Sequence, residues 1–415
     1  MGKGFAKPAK RRKPKKTICD ACNCFLPILP VPLRPAAFYG HGMHASCFGR
    51  AISPVHTPYY YSLNYRSLKK KTSIHDIARQ LKVSATTVSF VLNGKAEEKR
   101  ISSDLEKRIM KYVRDTGYQL NHVAKSLRTG KSKIIGMLVE DISDPFFSSI
   151  ARVIEGNAYK LGYKIFYSST ENDSEKTKAL IKVLRERQVE GYIIAPPPGI
   201  EEEVRGLMND NLPVVLFDRY FPSLATTNVV ADNFGGAYAA MEHFLENGYK
   251  RIGMVTLESE QTQMRDRLKG YTKAITENKL KPCVCKISYE LKQDKIVPII
   301  HSFLEKNPGL DAVLFATNYL AVSGLEAINQ LKRAIPDDIA VIGFDDNTHF
   351  SLFSPAVTAV AQPVQEISET VIQKLIGSLS GTGKASEKTT IVLPTQLIVR
   401  ESSLRRVKLR RAKAV

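Results

Sequence analysis

Residues 83–94, VSATTVSFVLNG, combine short hydroxyl side chains with apolar ones. At about 100° of turn per residue, the apolar side of such a helix comprises Val88, Val91 and Leu92. The opposite side comprises Ala85, Thr86, Ser89 and Phe90. Hydroxyl groups can hydrogen-bond to bases and phosphates, and Ala or Phe can contact a thymine methyl group, so this side suits the DNA major groove. The same pattern is also common in ordinary helix packing, and the helix alone leaves both interpretations open.

Capping signals divide the surrounding region into three short helices. Ser73 and Asp76 have the spacing of a capping box at the start of the first helix. Ser84 can cap the second helix, which ends near Asn93. The third helix, DLEKRIMKYVRDTG, stops at Gly117. Three helices this close together predict a compact helical unit, with a very short turn between the first two.

The positive charge of the chain is concentrated at its two ends. Residues 1–133 hold 27 Lys and Arg against 7 Asp and Glu, whereas residues 134–404 hold 28 against 34. The last eleven residues, a basic tail at 405–415, hold six Lys and Arg and no Asp or Glu. A basic N-terminal region on a mildly acidic body predicts a polyanion-binding segment joined to a region with another function. The alternative is that the basic segments are only solvated, as is often the case.

The body of the chain alternates apolar runs with amphipathic segments. Runs such as KIIGMLVE, EGYIIAP, PVVLFDR and IAVIGF are typical of buried parallel strands. The alternation predicts a doubly wound α/β architecture, long enough for two lobes. The apolar runs near residues 358–362 and 391–400 are expected to return the chain between the lobes. Residues 1–70 lack any periodic pattern, and we expect a disordered or non-native N-terminal extension there.

Several classes of protein are disfavoured by the sequence. No apolar run is long enough to span a bilayer, so we expect a cytoplasmic protein without a membrane partner. The cysteines are Cys19, Cys22, Cys24, Cys47, Cys283 and Cys285. The first four lie in a proline-rich stretch without zinc-site spacing, so neither a metal nor a cofactor is predicted. Common catalytic motifs are lacking, and GSLSGTGKA has the wrong glycine spacing for a phosphate loop and is interpreted as a surface loop, so no enzyme is predicted.

The segment SIHDIARQLKVSATTVSFVLNG resembles the start of the lactose-repressor and galactose-repressor family of transcriptional regulators. Further similar motifs are GYQLNHVAKSL, RLKGY, FATNYLA, IPDDIAVIGFDD and LIVRESS, so that the resemblance covers residues 72–404. It implies a helix-turn-helix DNA-binding domain at 71–120, a hinge helix at 121–131 and a two-lobed core at 132–404 similar to periplasmic sugar-binding proteins. It also implies a homodimer that binds double-stranded operator DNA.

The resemblance assigns DNA-contacting roles to particular residues. Base-reading positions fall on Ala85, Thr86 and Phe90, and phosphate-contacting or capping positions on Ser84, Thr87, Ser89 and Asn93. In the hinge helix, Leu127 takes the place of a leucine that enters the minor groove, with Asn121 and Ala124 alongside. A plain linker helix with a buried leucine is the alternative.

Four residues depart from the family pattern. Lys82 replaces a glycine common in the turn, so the turn is expected to have a different shape. Phe90 replaces an arginine common in the reading helix, and we hypothesise that Phe90 packs on a thymine methyl group or sugar edge. Leu120 replaces a proline ahead of the hinge, and Tyr319 replaces an aspartate at the rim of the ligand pocket.

The core is expected to bind a small effector, a carbohydrate, between its lobes. A sugar-like ligand requires an aromatic face together with carboxylate, amide and guanidinium groups that pair with its hydroxyls. The residues assigned to it are Phe146, Phe147, Asp218, Arg267, Asn318, Asp345 and Gln362. An aspartate at a strand end can instead cap the following helix. We therefore interpret the sequence as a ligand-responsive repressor, the alternative being a sugar-binding protein without DNA-dependent regulation.

Overall fold

The computed structural model describes residues 72–118, 131–289, 291, 293–381 and 389–405. Contacts divide the chain into two units, Met1–Lys70 and Lys71–Val415. The first unit lies outside the described residues, as do the predicted hinge positions, Leu120 and most of the basic tail. The predictions of disorder at residues 1–70 and of a hinge helix therefore stay predictions.

Three helices form the N-terminal part of the described chain. They are α1 (Ile74–Leu81), α2 (Ala85–Leu92) and α3 (Ser103–Thr116). Ser73 and Asp76 form the predicted capping box on α1, and Ser84 accepts a hydrogen bond from the Thr87 backbone N–H at the start of α2. Gly117 ends α3 with a φ of 63°. These boundaries agree with the sequence predictions.

The three helices enclose a small apolar core of their own. Ile77, Val88 and Ile109, one from each helix, are fully buried, and Val91 is also buried. The predicted inward side of α2 is therefore confirmed, and Leu92 packs against this core while partly exposed.

The first lobe is a six-stranded parallel sheet with helices on both faces. Its strands are β1 (Ile134–Val139), β2 (Lys164–Ser169), β3 (Gly191–Ile194), β4 (Val214–Phe217), β5 (Thr227–Ala231) and β11 (Thr389–Leu393). Its helices are α4 (Pro145–Lys160), α5 (Ser174–Glu186), α6 (Glu201–Asn209) and α11 (Val364–Leu379). The strand order is β11-β5-β4-β3-β1-β2. Helix α11 contains Gly377, so the surface loop predicted at 377–385 begins with helical residues.

The second lobe repeats this architecture. Its strands are β6 (Ile252–Leu257), β7 (Cys283–Ile287), β8 (Ala312–Phe315), β9 (Ala340–Phe344), β10 (Thr358–Ala361) and β12 (Gln396–Ile398). Its helices are α7 (Asn233–Glu246), α8 (Thr262–Glu277), α9 (Gln293–Lys306) and α10 (Asn318–Gln330). The order is β12-β10-β9-β8-β6-β7, with β12 antiparallel to β10. Cys283 and Cys285 are free thiols on the edge strand β7.

The chain passes between the lobes three times, after β5, after β10 and after β11. The two apolar runs expected to return the chain do so, since β10 and the pair β11 and β12 flank the last two passages. A close approach between α7 and α8 requires Gly270, because a Cβ there would collide with the Phe234 carbonyl oxygen. None of the helices in the described part of the chain has the length and apolar content needed to cross a bilayer.

Candidate DNA-reading helix and ligand cavity

The exposed side of α2 presents the side chains predicted to read DNA. Thr86 is exposed, whereas Ser89 and Phe90 are half-buried. Lys99 holds its ammonium group 5.6 Å from the centre of the Phe90 ring. Ala85 is half-buried and packs partly against the three-helix core, so only part of its methyl group is available to a base.

Other predicted DNA contacts also serve the helix itself. The hydroxyl groups of Ser84 and Thr87 lie 2.8 Å apart at the start of α2. Asn93 donates its side-chain amide to the Ser89 carbonyl oxygen at 2.6 Å, at the end of the helix. These residues therefore cap α2 in the structure, and their phosphate contacts stay predictions. Asn121, Ala124 and Leu127 lie outside the described residues.

Lys82 adopts the left-handed conformation, with φ 54° and ψ 45°. The expectation of a different turn shape was wrong, because Lys82 takes the conformation that glycine would favour. The Val83 N–H bonds to the Ala78 carbonyl oxygen at 3.0 Å, and Val83 packs against the three-helix core. These contacts offset the steric cost of a side chain in this region.

Replacing Lys82 with glycine is expected to stabilise the three-helix unit by about 0.5–1 kcal/mol, since glycine has no Cβ to clash at this φ. Hydrogen exchange of the α1 and α2 amides in the full-length chain would measure the gain. The matched control is Lys111→Gly within α3, where helical φ makes glycine unfavourable by about 0.7–1 kcal/mol. Faster exchange in the Lys82 variant would contradict the steric argument.

A cavity lies between the two lobes, at the carboxyl ends of the parallel strands. It encloses about 40 Å³, and an outer chamber of about 630 Å³ shares five of its lining residues. The inner cavity is lined by Glu140, Asp144, Phe146, Phe147, Asp218, Arg219, Leu257, Gln263, Met264, Arg267, Thr317, Asn318, Tyr319 and Asp345. Six of the seven predicted effector residues are in this set.

The two predicted strand-end aspartates occupy equivalent places in the lobes. Asp218 follows β4 with φ 64°, and Asp345 follows β9 with φ 69°. The Asp218 N–H donates to the Val229 carbonyl oxygen on β5, and the Asp345 N–H donates to the Val360 carbonyl oxygen on β10. Neither aspartate caps a helix, so the alternative role considered for them does not apply. Burial raises the pKa of Asp218 to about 6, despite the nearby Arg219.

All three side-chain nitrogens of Arg267 donate hydrogen bonds within the cavity. Arg267 is 1% exposed and donates to the Asn233 side chain at 2.8 Å and to the Ala316 carbonyl oxygen at 2.6 Å. Its two terminal nitrogens bond to the Asp345 carboxylate at 3.1 and 3.3 Å. The guanidinium carbon lies 3.7 Å from the centre of the Phe344 ring.

The remaining predicted effector residues differ in how directly they face the cavity. Asn318 lies at the start of α10 and bonds to Asp144 in the other lobe at 3.5 Å. Phe147 is buried, with its ring 6.1 Å from that of Phe217, so it serves the core as well as the cavity. Gln362 is outside the lining set but donates to Asp345 at 2.6 Å, so it positions that carboxylate.

The fold also brings to the cavity polar residues that the sequence patterns did not indicate. They are Glu140, Asp144, Arg219, Gln263 and, in the outer chamber, Tyr289. Glu140 and Arg219 form an ion pair of 2.6 Å. Their place at strand ends is the sequence feature that could have indicated two of them. Glu140 directly follows β1, and Arg219 follows Asp218 after β4.

Arg219 also links the two lobes. It is 3% exposed, and its Nη1 donates to Gln261 at 3.3 Å across the cleft. Gln261 in turn donates to Asn172 in the first lobe at 3.0 Å. The Nε and Nη2 atoms of Arg219 have no hydrogen-bond partner among the described residues. A buried guanidinium with unpaired donors is suited to receive ligand oxygen atoms.

Comparisons with known proteins agree with both parts of this geometry. Residues 73–121 match the family described as "Bacterial regulatory proteins, lacI family", and residues 241–403 match "Periplasmic binding protein-like domain". The ribose operon repressor of Halalkalibacterium halodurans is 30% identical over 332 residues, covering 80% of this chain and 97% of that protein.

The chain belongs to the lacI family of bacterial regulatory proteins. This lacI-family protein is therefore a DNA-binding transcriptional regulator with a two-lobed core of the periplasmic-binding-protein type. A lac repressor dimer bound to operator and anti-inducer shares the fold, with a TM-score of 0.72, 22% identity and coverage of 81% of this chain and 100% of that one.

A second solved structure is relevant to the ligand cavity of this lacI-family protein. It is a periplasmic binding protein/LacI transcriptional regulator from Alkaliphilus metalliredigens, complexed with D-xylulofuranose. It has a TM-score of 0.58 and 26% identity, and it covers 65% of this chain and 98% of that one. No group of His, Cys, Asp and Glu that could hold a metal ion occurs within the described ranges.

Proposed function

We propose that this protein is a homodimeric, cytoplasmic repressor whose affinity for operator DNA is controlled by a sugar or sugar derivative bound between its lobes, with no catalytic role. The observation that carries the proposal is the cavity itself. It combines the Phe146 ring, the Asn318 amide, the Asp218 carboxylate and the unpaired Arg219 donors. Sugar hydroxyls both donate and accept hydrogen bonds, and this mixed set pairs with them. The complex of the Alkaliphilus relative with D-xylulofuranose supports the same ligand class.

The size of the cavity supports a coupled opening of the lobes. An inner volume of about 40 Å³ holds a few water molecules, so a monosaccharide would enter as the lobes part. The contacts of Gln261 with Asn172 and Arg219 would break and re-form in that motion. A change in lobe closure can alter the spacing of two DNA-binding units in a dimer.

Exposed apolar side chains support the proposed homodimer. Tyr159 at the end of α4 is 78% exposed and Leu352 is 79% exposed, and Phe166 and Phe353 are also exposed. Burial of these side chains by a second copy would stabilise a dimer through the hydrophobic effect.

The proposed switch is tested with the intact protein. DNA selected from random sequences is expected to bind at least about a thousandfold more tightly than unselected DNA at the same salt concentration. A sugar that changes operator affinity must have its own affinity changed by operator by the same factor. If saturating operator leaves sugar affinity unchanged, the switch does not exist.

The role of α2 is tested separately by Thr86→Glu. This variant is expected to lose binding of the selected DNA, because the carboxylate faces the phosphates, while sugar affinity stays the same. Thr116→Glu, the same change at an exposed threonine of α3, is the matched control and should retain the selected sequence. Equal loss in both variants would argue against α2 as the reading helix.

A further inference from the structure

The charges that line the inner cavity and the outer chamber are unbalanced. The carboxylates are Glu140, Asp141, Asp144, Glu171, Asp218 and Asp345. Against them, the lining residues include two guanidinium groups, Arg219 and Arg267, the imidazole of His349 in the outer chamber, and no lysine. A ligand bearing a phosphate or carboxylate group would have to approach this excess of negative charge.

Neither guanidinium is a free cation. Arg267 is paired with Asp345 at 3.1 Å, and Arg219 is paired with Glu140 at 2.6 Å. Glu171 is balanced from outside the chamber, since Lys176 lies 2.7 Å away. Moving either arginine to an anionic ligand would leave a carboxylate uncompensated, which is costly in a buried site.

Among the described carboxylates of the inner cavity, Asp144 is the one without a cation nearby. Arg219 pairs with Glu140 and Asp218, and Arg267 pairs with Asp345. Asp141, which lines the outer chamber, also lacks an ion pair in the described chain but is exposed to solvent.

No lysine, arginine or histidine of the described chain lies within ion-pair distance of Asp144. Its Oδ1 accepts hydrogen bonds from the Phe146 N–H at 2.8 Å and from Asn318 at 3.5 Å. Burial, with repulsion from Asp345, raises the pKa of Asp144 to about 6. At neutral pH the group is therefore mostly ionised and its charge is unpaired.

A second residue of the same cavity has a buried oxygen atom without a hydrogen-bond donor in the described part of the chain. Gln263 is 3% exposed, and its Oε1 has no hydrogen-bond partner among the described residues. A buried acceptor without a donor costs about 1–3 kcal/mol until a ligand supplies one. In the adjoining chamber, Tyr289 and Tyr319 offer aromatic rings, which attract cations.

We propose that the ligand is an amino sugar or amino polyol whose ammonium group binds Asp144, an inference that rests on the proposed sugar-binding function of the cavity. The ammonium group supplies both the missing positive charge and hydrogen-bond donors for oxygen acceptors. The hydroxyl groups of the same ligand pair with Asp218 and the free donors of Arg219. Phosphorylated and acidic sugars are excluded by the same charges.

The proposal is tested by calorimetric titration of the full-length protein at pH 7. The probes are D-glucosamine, D-galactosamine and D-mannosamine, with their parent hexoses, their N-acetyl forms and their 6-phosphates. At least one amino sugar is expected to bind about tenfold or more tightly than its parent hexose, the ratio that one charge-assisted hydrogen bond provides. N-acetylation, which removes the charge, is expected to abolish that advantage.

A variant assigns the effect to Asp144. Asp144→Asn retains the helix-capping oxygen of α4 and removes the charge, so the ratio of amino-sugar affinity to parent-hexose affinity is expected to fall from about tenfold to about one. Glu186→Gln, the same change on an exposed residue of α5, is the matched control, and thermal unfolding verifies that both variants fold.

The outcomes separate this inference from the function on which it rests. Neutral hexoses or 6-phosphates that bind as tightly as the amino sugars would overturn the inference and leave sugar binding in place. An amino-sugar advantage that survives in Asp144→Asn would overturn the assignment to that carboxylate. If no saccharide binds in any form, both the inference and the proposed function are wrong.

Discussion

Replacement of Arg267 by methionine is expected to lower the free energy of unfolding by about 3–5 kcal/mol and to abolish the ligand response. Methionine retains much of the volume but leaves the Asp345 carboxylate buried without its cation, and removing one partner of a buried pair has this cost. The Ala316 carbonyl oxygen and the Asn233 side chain also lose their donor. Denaturant unfolding followed by far-ultraviolet circular dichroism measures the loss.

Two further variants show whether the buried charge is the cause. Arg265→Met, on the same helix, removes a guanidinium group that is 41% exposed and is expected to change stability by no more than about 0.5 kcal/mol. Adding Asp345→Asn to Arg267→Met removes the uncompensated carboxylate, so the double variant is expected to recover about 1–2 kcal/mol. If the double variant is no more stable than Arg267→Met, the loss of stability comes from lost packing and not from the uncompensated charge.

The parts of this molecule that were predictable from sequence are those set by local patterns. Buried parallel strands are apolar along their whole length, so runs such as IIGMLV and AVIGF are recognisable. The inward side of α2 follows from the angular spacing of Val88 and Val91. The caps at Ser73 and Ser84 depend on residues three positions apart.

The parts that were not predictable depend on contacts between distant segments. Arg219 meets Gln261, 42 positions away, and Gln261 meets Asn172, 89 positions away, only because the lobes face each other. Asp144 has no signal of its own beyond its place as the cap of α4. At Lys82 the sequence indicates a preference that the fold does not follow. A lysine ordinarily avoids the left-handed region, but the packing of the adjacent turn holds Lys82 there.

Replacement of Phe90 by arginine is expected to change the DNA sequence that the protein selects. Phe90 lies on the outer side of α2 with one face near the Lys99 ammonium group, so its ring can contact an apolar surface such as a thymine methyl group. Arginine instead forms two hydrogen bonds with guanine, and such a pair discriminates between bases by about 1–3 kcal/mol. One position in each half-site is therefore expected to change from thymine to guanine, with preferences of roughly tenfold to a hundredfold in each direction.

Selection from random DNA with the parent and the variant, followed by binding measurements on the two selected sites, tests the exchange. Phe90→Leu is the matched control, because leucine keeps an apolar contact and should retain thymine at reduced affinity. A general gain in affinity for all DNA would show that the added charge binds phosphates without reading a base, since phosphate contacts carry no sequence information. Identical selected sites for Phe90→Arg and the parent would mean that residue 90 does not face the bases, and the recognition surface of α2 would then centre on Thr86 alone.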